Sequence, residues 1–160
     1  MALQTSYKIL IVDDEIDIIE LLSYNLKKEN FTVVAAMNGK EAIQIASKMK
    51  PDIILMDVMM PEMDGIEACR QIKALPQLKN TPLIFLTARG EEFSELAGFE
   101  AGADDYIIKP IKPRVLISRL KAILRRMLRN GTIAKQECLL TNFYHYFSMM
   151  ASWWKSSITL

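Results

Sequence analysis

Residues 51–65 of the chain, PDIILMDVMMPEMDG, decide the fold. The apolar run at 53–56 has the length and composition of a buried β-strand, and a proline, acids and a glycine follow it. Asp57 ends this strand. Because burying an unpaired carboxylate is unfavourable, stability alone does not explain an acid at that position. The stretch therefore predicts a strand whose C-terminal end carries a functional group.

Short β-type runs and longer helical runs alternate on both sides of this stretch. Strands are predicted at 8–12, 31–36, 53–57, 83–87 and 105–108. Helices are predicted at 15–29, 40–49, 65–75, 91–101 and 113–129. Strands that alternate with helices are typical of right-handed βαβ units. The prediction is an α/β protein with a doubly wound, five-stranded parallel sheet and helices on both faces.

Local signals support several helix boundaries and one helix face. Asn38 can cap the second helix, Gly102 marks the end of the fourth, and Pro113 suits the first turn of the fifth. On the first helix, four residues are expected to share the buried face: Ile16, Ile19, Leu22 and Leu26.

Composition and charge narrow the class of protein. The chain has 160 residues, 51% hydrophobic and 24% charged, as is usual for soluble globular proteins. It has no signal-peptide pattern, no long apolar run, and two distant cysteines, Cys69 and Cys138, so a cytoplasmic location away from the membrane is expected. Residues 109–129 contain eight basic residues and no acid, yet residues 1–129 hold 18 of each sign. This balance favours a solvated or partner-facing helix over a nucleic-acid footprint.

Polar residues follow four of the predicted strands, at the ends where ligands bind in parallel α/β sheets. They are Asp13, Asp14, Asp57, Thr87 and Lys109. Converging carboxylates need a cation, and an oxygen-only cluster without His or Cys favours Mg²⁺. Lys109 can neutralise a phosphate, Thr87 can donate a hydrogen bond to it, and an aspartate can be a nucleophile. These residue types indicate a site that stabilises a phosphoryl group in transit.

Four motifs resemble those of bacterial two-component response-regulator receiver domains, the CheY-like family. They are 9-ILIVDDE-15, 53-IILMDVMMPEMDG-65, 86-LTA-88 and 102-GADDYIIKP-110, in the family's order and spacing. The resemblance covers about residues 6–129 and implies a receiver domain at 1–129. It also implies the flavodoxin-like fold with strand order 2-1-3-4-5, for which the chemotaxis receiver is a known example. The family is regulatory, so the resemblance implies a phospho-acceptor that catalyses its own phosphorylation rather than a metabolic enzyme.

The resemblance assigns the acceptor and the metal ligands. Asp57 would accept a phosphoryl group from a sensor histidine kinase. Asp14, Asp57 and the backbone carbonyl of Met59 would bind Mg²⁺ directly, and Asp13 would act mainly through a metal-bound water. Met59, two residues after the acceptor, cannot orient an attacking water, so dephosphorylation is expected to be slow.

The resemblance also assigns the residues of a switch. Lys109 would pair with Asp57 and then with the phosphoryl group, in a loop with a cis Lys109–Pro110 bond. Thr87 would move toward the phosphate, and Tyr106 would rotate inward behind it. Plainer interpretations remain open: Asp13 or Asp14 could cap the first helix, Tyr106 could be core, and Lys109 could extend into solvent.

Within the family, the sequence is most similar to the OmpR/PhoB-type transcription regulators, through 102-GADDYIIKP-110 and 119-RLKAILRR-126. This implies a homodimer, formed on phosphorylation through helix four, strand five and helix five. One further ion pair of those regulators is absent, because Glu95 and Val115 stand at its positions. The predicted dimer face has an apolar centre and three ion pairs: Leu96, Phe99 and Ile117; Asp105 with Arg119, Asp104 with Arg126, and Glu100 with Lys121.

Residues 130–160, NGTIAKQECLLTNFYHYFSMMASWWKSSITL, are too few for the winged-helix DNA-binding domain of such regulators. They contain two lysines and no arginine, so direct nucleic-acid binding by this chain is not expected. Three interpretations of this aromatic segment stay open. It is a truncated or out-of-frame remnant, a helix that packs on the receiver or on a second copy, or a docking segment.

The main prediction is a receiver that is phosphorylated on Asp57 and controls transcription as part of a longer regulator. The alternative is a stand-alone receiver that relays phosphate or binds a protein without a DNA-binding output. An aspartate-nucleophile phosphatase is disfavoured, because Met59 stands where its acid/base aspartate is usual. A flavodoxin is disfavoured because the loop DDEID, at 13–17, is acidic and lacks phosphate-binding Gly, Ser and Thr.

Overall fold

Five strands form one parallel sheet in the computed structural model, which describes residues 6–88 and 97–130. Neighbouring strands run in the order β2-β1-β3-β4-β5, and every neighbouring pair is parallel. The predicted fold class and strand order are therefore confirmed. The strands are β1 (Lys8–Val12), β2 (Thr32–Ala36), β3 (Ile53–Asp57), β4 (Leu83–Thr87) and β5 (Asp105–Ile108).

Helices connect consecutive strands, as the alternating pattern predicts. Residues 97–100 are helical and form the described part of α4, whereas the rest of the predicted fourth helix, including Leu96, lies outside the described residues. The other boundaries lie within one residue of those predicted. These helices are α1 (Ile16–Lys28), α2 (Gly39–Met49), α3 (Gly65–Ala74) and α5 (Pro113–Arg129).

Local hydrogen bonds explain where several helices begin and end. The Asn38 side chain accepts a hydrogen bond from Glu41 N at 2.9 Å, which confirms the predicted cap of α2. Asp64 caps α3 in the same way through Glu67 N at 2.8 Å. Gly102 has a φ of 103°, a conformation that favours glycine, so the predicted end of α4 is also confirmed.

The sheet is covered on both faces. Successive side chains on a strand point to opposite faces, so Ile9 and Leu10 belong to different layers. Both are completely buried, and the same holds for neighbouring pairs on β3 and β4. The fully buried strand residues of one layer are Leu10, Val12, Ile54, Met56, Leu83 and Phe85, and those of the other are Ile9, Ile11, Ile53, Leu55, Ile84 and Leu86.

One residue of the predicted α1 face lies elsewhere. Ile19, Leu22 and Leu26 are buried, but Ile16 is 51% exposed, so its predicted burial is wrong. Ile16 is the first residue of the helix. It follows the C-terminal end of β1 by only a few residues, so it lies near the edge of the sheet rather than over its centre.

The chain divides into two units, Met1–Lys121 and Ala122–Leu160. The sheet and all the predicted catalytic and metal-binding residues belong to the first unit. Of the second, the structure describes residues 122–130, in which α5 ends at Arg129. No helix among the described residues is long and apolar enough to cross a membrane. Whether a receiver boundary falls at residue 129 stays a prediction.

Candidate functional site

The parallel register brings the polar residues to one edge of the sheet. Val12 pairs with Met56, Asp57 pairs with Leu86, and Thr87 pairs with Ile108. The C-terminal ends of β1, β3, β4 and β5 therefore lie side by side. Each end supplies one part of the site, and the loops that follow carry the remainder.

Three carboxylates converge at this edge. Oxygen atoms of Asp13, Asp14 and Asp57 all lie within 4.8 Å of one another. Asp13 is fully buried and Asp57 is 5% exposed, whereas Asp14 faces solvent. Such a cluster of hard oxygen donors, open on one side, fits Mg²⁺, which keeps several waters alongside one or two carboxylates.

Lys109 lies close to two of the three clustered carboxylates and to a neighbouring acid. Its Nζ is 3.0 Å from Asp13 Oδ2, 3.3 Å from Glu15 Oε1 and 3.5 Å from Asp57 Oδ1. The lysine side chain is 17% exposed, so it does not extend into solvent. A compact ammonium in this position partly neutralises the acids and can change partners when charge is added to one of them.

Burial and mutual repulsion make Asp57 hard to ionise. Burial, followed by the charge of Asp13, raises the pKa of Asp57 to about 6, against an opposing contribution from Lys109. For Lys109, burial acts to lower the pKa, but the hydrogen bond and the charge of Asp13 outweigh it and the pKa is raised. The lysine therefore stays charged, while the pKa of Asp57 lies within about one unit of neutral pH.

The β3–α3 loop is closely packed against the backbone of Asp57. Gly65 N donates a hydrogen bond to Val58 O at 2.8 Å. A Cβ atom on Gly65 would lie 2.1 Å from Asp57 O, so only glycine allows this approach. Met59 is 64% exposed in the same loop, and Met60 is buried. Met59 thus follows Asp57 closely in an exposed part of the loop, and its role in metal binding stays a prediction.

Thr87 and Lys109 are joined through the backbone. Lys109 N donates a hydrogen bond to Thr87 O at 2.7 Å, and the Lys109–Pro110 peptide bond is cis, as the resemblance implies. Thr87 is buried, and its hydroxyl donates to Ala88 O at 3.2 Å. This hydroxyl lies at the end of β4, one strand away from Asp57.

Tyr106 lies inward, below the level of Thr87 on the neighbouring strand. Its ring is 9% exposed and contacts Phe85 and Phe99, with centroid distances of 5.5 and 4.7 Å. In this position Tyr106 is a core residue. The predicted rotation of its side chain is a movement that one structure does not test.

Two of the three cations predicted to pair across a dimer have acidic partners within the chain. Arg119 donates to Asp105 Oδ2 at 2.8 Å, and Lys121 pairs with Glu29. Asp104 accepts from Lys73 at 3.0 Å. The other members of the face vary in exposure: Phe99, Glu100 and Arg126 are exposed, Ile117 is half-buried, Arg126 belongs to the second unit, and Leu96 lies outside the described residues.

Sequence reasoning missed three residues that shape the site. Glu15 contacts Lys109, Gly65 allows the approach of the loop to Asp57, and Gly98 lies against Tyr106. Glu15 is the last letter of the motif ILIVDDE and Gly65 the last of MPEMDG, so the motifs contained the signal. Neither motif indicates which atoms are in contact in the folded protein. The expectation that Asp13 or Asp14 caps α1 is wrong, because the N-cap is Glu15 and it makes no side-chain cap.

A family model described as the response regulator receiver domain matches residues 9–121. The chain belongs to this family. Among curated relatives, it is 50% identical over 119 residues to the alkaline phosphatase synthesis transcriptional regulatory protein PhoP of Bacillus subtilis (strain 168), and 53% identical over 119 residues to the transcriptional regulatory protein ResD of the same strain. The aligned parts cover 74% of this chain and 49% and 48% of the relatives. The chain thus spans about half the length of these relatives.

Solved structures show the same fold. A two-component response regulator from Clostridium difficile superposes with a TM-score of 0.72 at 33% identity, covering 76% of this chain and 98% of that one. The chemotaxis protein CheY4 of Vibrio cholerae gives a TM-score of 0.71 at 33% identity, covering 74% and 98%. The protein is therefore a receiver domain of the two-component response regulators, and its curated relatives are transcriptional regulators.

Proposed function

We propose that Asp57 of this receiver accepts a phosphoryl group from a sensor histidine kinase, with Mg²⁺ bound by the acid cluster. The observation that carries the proposal is the meeting of Asp13, Asp14 and Asp57 within 4.8 Å, with Lys109 Nζ 3.5 Å from Asp57. A nucleophilic carboxylate, a set of metal ligands and a mobile cation are the parts that phosphoryl transfer needs.

In the proposed transfer, an oxygen of the Asp57 carboxylate forms a bond to phosphorus. The bond between phosphorus and the kinase imidazole breaks, and its electron pair leaves with the imidazole. Asp57 must be ionised to attack, and Lys109 favours that form. Asp14, Asp57 and the Met59 carbonyl would hold Mg²⁺ directly, and Asp13 would contribute through a water. When bound, the ion would neutralise charge on the phosphoryl oxygens.

Lys109 can respond to the charge that phosphorylation adds. In the unmodified site its ammonium group lies between Asp13, Glu15 and Asp57. A phosphoryl group brings new anionic oxygens to Asp57, so Lys109 gains a stronger partner there. The Thr87 hydroxyl, one strand away, would donate a second hydrogen bond to the same oxygens, which couples the site to β4 and β5.

The output that we propose is a homodimer through the predicted dimer face, which controls transcription in a longer regulator. Arg119 is 46% exposed although it pairs with Asp105, so its guanidinium has room for an acid of a second copy. Phe99 is 53% exposed and supplies an apolar centre. Exposed ion pairs contribute only about 0–1 kcal/mol each, so the apolar contact must provide much of the affinity.

Static light scattering tests both parts of the proposal. The mass is measured with and without Mg²⁺ and beryllium fluoride, which mimics a phosphoryl group on an aspartate, and Asp57→Ala is the control. We expect a monomer that becomes a dimer only in the wild type with both additions. A phosphate-affinity gel after treatment with acetyl phosphate tests acceptance separately. A shifted band that persists in Asp57→Ala would contradict the assignment of the acceptor.

A further inference from the structure

The glycine at position 98 is explained by the space that its missing side chain leaves, and not by its backbone conformation. It lies in the described part of α4, is buried, and does not have a positive φ, so any residue could adopt its conformation. Glycine in a helix is less favourable than alanine. The helix therefore loses stability at this position, and another feature must account for the missing side chain.

The side chain of Tyr106 occupies that space. A Cβ atom on Gly98 would lie 1.8 Å from the Tyr106 hydroxyl oxygen and 2.9 Å from the ring carbon that carries it. It would also lie 2.8 Å from the Phe85 ring. Phe85 and Phe99 both pack against the Tyr106 ring, at centroid distances of 5.5 and 4.7 Å, so a closely packed core leaves the buried ring little room to move aside. A methyl group at position 98 and the inward tyrosine exclude each other.

Tyr106 also borders a cleft that offers space for a displaced ring. An open cleft of about 600 Å³ borders Tyr106, and its other lining residues include Ile108, Pro110, Val115 and Arg119. Ile108 and Val115 are partly exposed there, so the cleft offers apolar surface to a displaced ring. The tyrosine ring thus has space in two positions. One is the inward position beside Gly98, and the other is the cleft, which is also lined by Arg119 of the predicted dimer face.

We propose that Gly98 is a positioning residue for Tyr106: its missing side chain permits the inward ring, and any larger side chain moves the ring into the cleft. The consequence for signalling rests on the proposed function together with the expectation, implied by the family resemblance, that Tyr106 takes the inward position when Asp57 is phosphorylated. A substitution at Gly98 then holds the receiver in the unphosphorylated arrangement without changing the chemistry at Asp57.

Tyrosine labelled with ¹³C at the ring ε-carbons reports the ring position directly. The Tyr106 resonance is assigned with Tyr106→Phe, and ring currents of Phe85 and Phe99 shift it in the wild type. We expect Gly98→Ala to move it to the position of exposed tyrosines. Gly102→Ala is the matched control, because it strains a residue with a φ of 103° and meets Lys73 instead of Tyr106. An unmoved resonance in Gly98→Ala would overturn the proposal.

A pair of urea denaturation experiments tests the steric exclusion independently. Gly98→Ala should lower the unfolding midpoint much more in the wild-type background than in the Tyr106→Ala background, where the tyrosine ring is gone and the Phe85 ring, at 2.8 Å, still contacts the added methyl group. If Gly98→Ala alone does not fold, folding of the double variant supports the same conclusion. Equal losses in both backgrounds, or a double variant that also fails to fold, would refute it.

The switch itself is measured by dimerisation with Mg²⁺ and beryllium fluoride. We expect Gly98→Ala to weaken the dimer at least tenfold while still accepting phosphate from acetyl phosphate at a rate close to that of the wild type. A variant that dimerises as tightly as the wild type would overturn the proposal. If the wild type itself does not respond, the proposed function fails, while the resonance and the urea midpoints still decide the role of Gly98.

Discussion

At the scale of single residues, the ionised carboxylate of Asp57 lowers the stability of the folded protein. Its carboxylate is buried beside Asp13, which raises its pKa to about 6, whereas the ordinary value is 3.8. In the unfolded chain the group loses its proton near pH 4, but in the folded protein it keeps the proton until about pH 6. The unfolded state therefore binds fewer protons in this window, and stability falls as the pH rises through it.

Asp57→Asn should relieve this cost. We expect the variant to be more stable than the wild type by about 1–2 kcal/mol at pH 7.5 in the absence of divalent cations, because a pKa unit corresponds to about 1.4 kcal/mol. The gain should shrink toward pH 4, where Asp57 is protonated in both states. Urea unfolding at several pH values checks this. Asp17→Asn, an exposed acid on α1, is the control and should show no such pH-dependent gain.

Met59 provides the second prediction at this scale. Its side chain is 64% exposed beside Asp57 and has no group that can orient a water molecule. We expect Met59→Asn to speed loss of the phosphoryl group several-fold, because an amide can hold a water near the phosphorus. The receiver is phosphorylated with acetyl phosphate, desalted, and followed on phosphate-affinity gels. Met37→Asn is the control. If both variants lose the phosphoryl group at the same rate, the predicted effect of Met59 is contradicted.

At the scale of elements, the junction between β3 and α3 sets where Asp57 points. The Asp64 cap begins the helix, and the Gly65 backbone lies directly against the carbonyl of Asp57. Strand end, loop and helix start are thus one packed unit, and a change in the loop is transmitted to the acceptor through the backbone rather than through a side chain.

Gly65→Ala should disrupt this junction. The added methyl group would lie 2.1 Å from Asp57 O and 3.1 Å from Val58 Cα, and backbone atoms cannot move aside cheaply. We expect a loss of about 2 kcal/mol or more in the free energy of unfolding, together with slower phosphorylation. Gly39→Ala is the matched control. Its methyl group meets the Met63 side chain at 2.9 Å and Ala68 Cβ at 3.2 Å rather than backbone atoms, so the loss should be clearly smaller than that of Gly65→Ala.

At the scale of the whole molecule, the site should couple cation binding to folding. The cluster of Asp13, Asp14 and Asp57 forms only when β1 and β3 lie side by side, so the unfolded chain has no such site. A cation that binds only the folded state stabilises it, by about 2.7 kcal/mol at a hundred times its Kd. We expect Mg²⁺ to raise the urea midpoint in this way.

Asp14→Asn tests that linkage. Asp14 is exposed, so the substitution removes a proposed metal ligand without leaving a buried polar group. The variant should fold as stably as the wild type without Mg²⁺ and should lose most of the stabilisation when Mg²⁺ is added. Potassium chloride of equal ionic strength controls for screening of the carboxylates. An identical Mg²⁺ response in both proteins would show that the ion binds elsewhere.

The sequence by itself determined the elements and their order. Strand and helix patterns are local, because burial imposes a period of two or of 3.6 residues on the chain, and the described elements lie where those periods predict. Caps such as Asn38 and the end of α4 at Gly102 are also local, because each depends on one residue and its nearest backbone. The acids and the lysine could be placed at one edge for the same reason, since parallel strands end together.

Only the tertiary structure decided which atoms meet. The sharing of Lys109 by Asp13, Glu15 and Asp57 joins residues from three separate segments, and no spacing along the chain encodes a distance of 3 Å. The prediction for Ile16 was wrong because helical periodicity indicates which face of a helix a residue is on. It does not indicate whether that end of the helix packs against the sheet. Nothing in the sequence marks Gly98 as different from other helical glycines. Its contact with the Tyr106 ring, from the next strand, depends on the packing of separate segments in three dimensions.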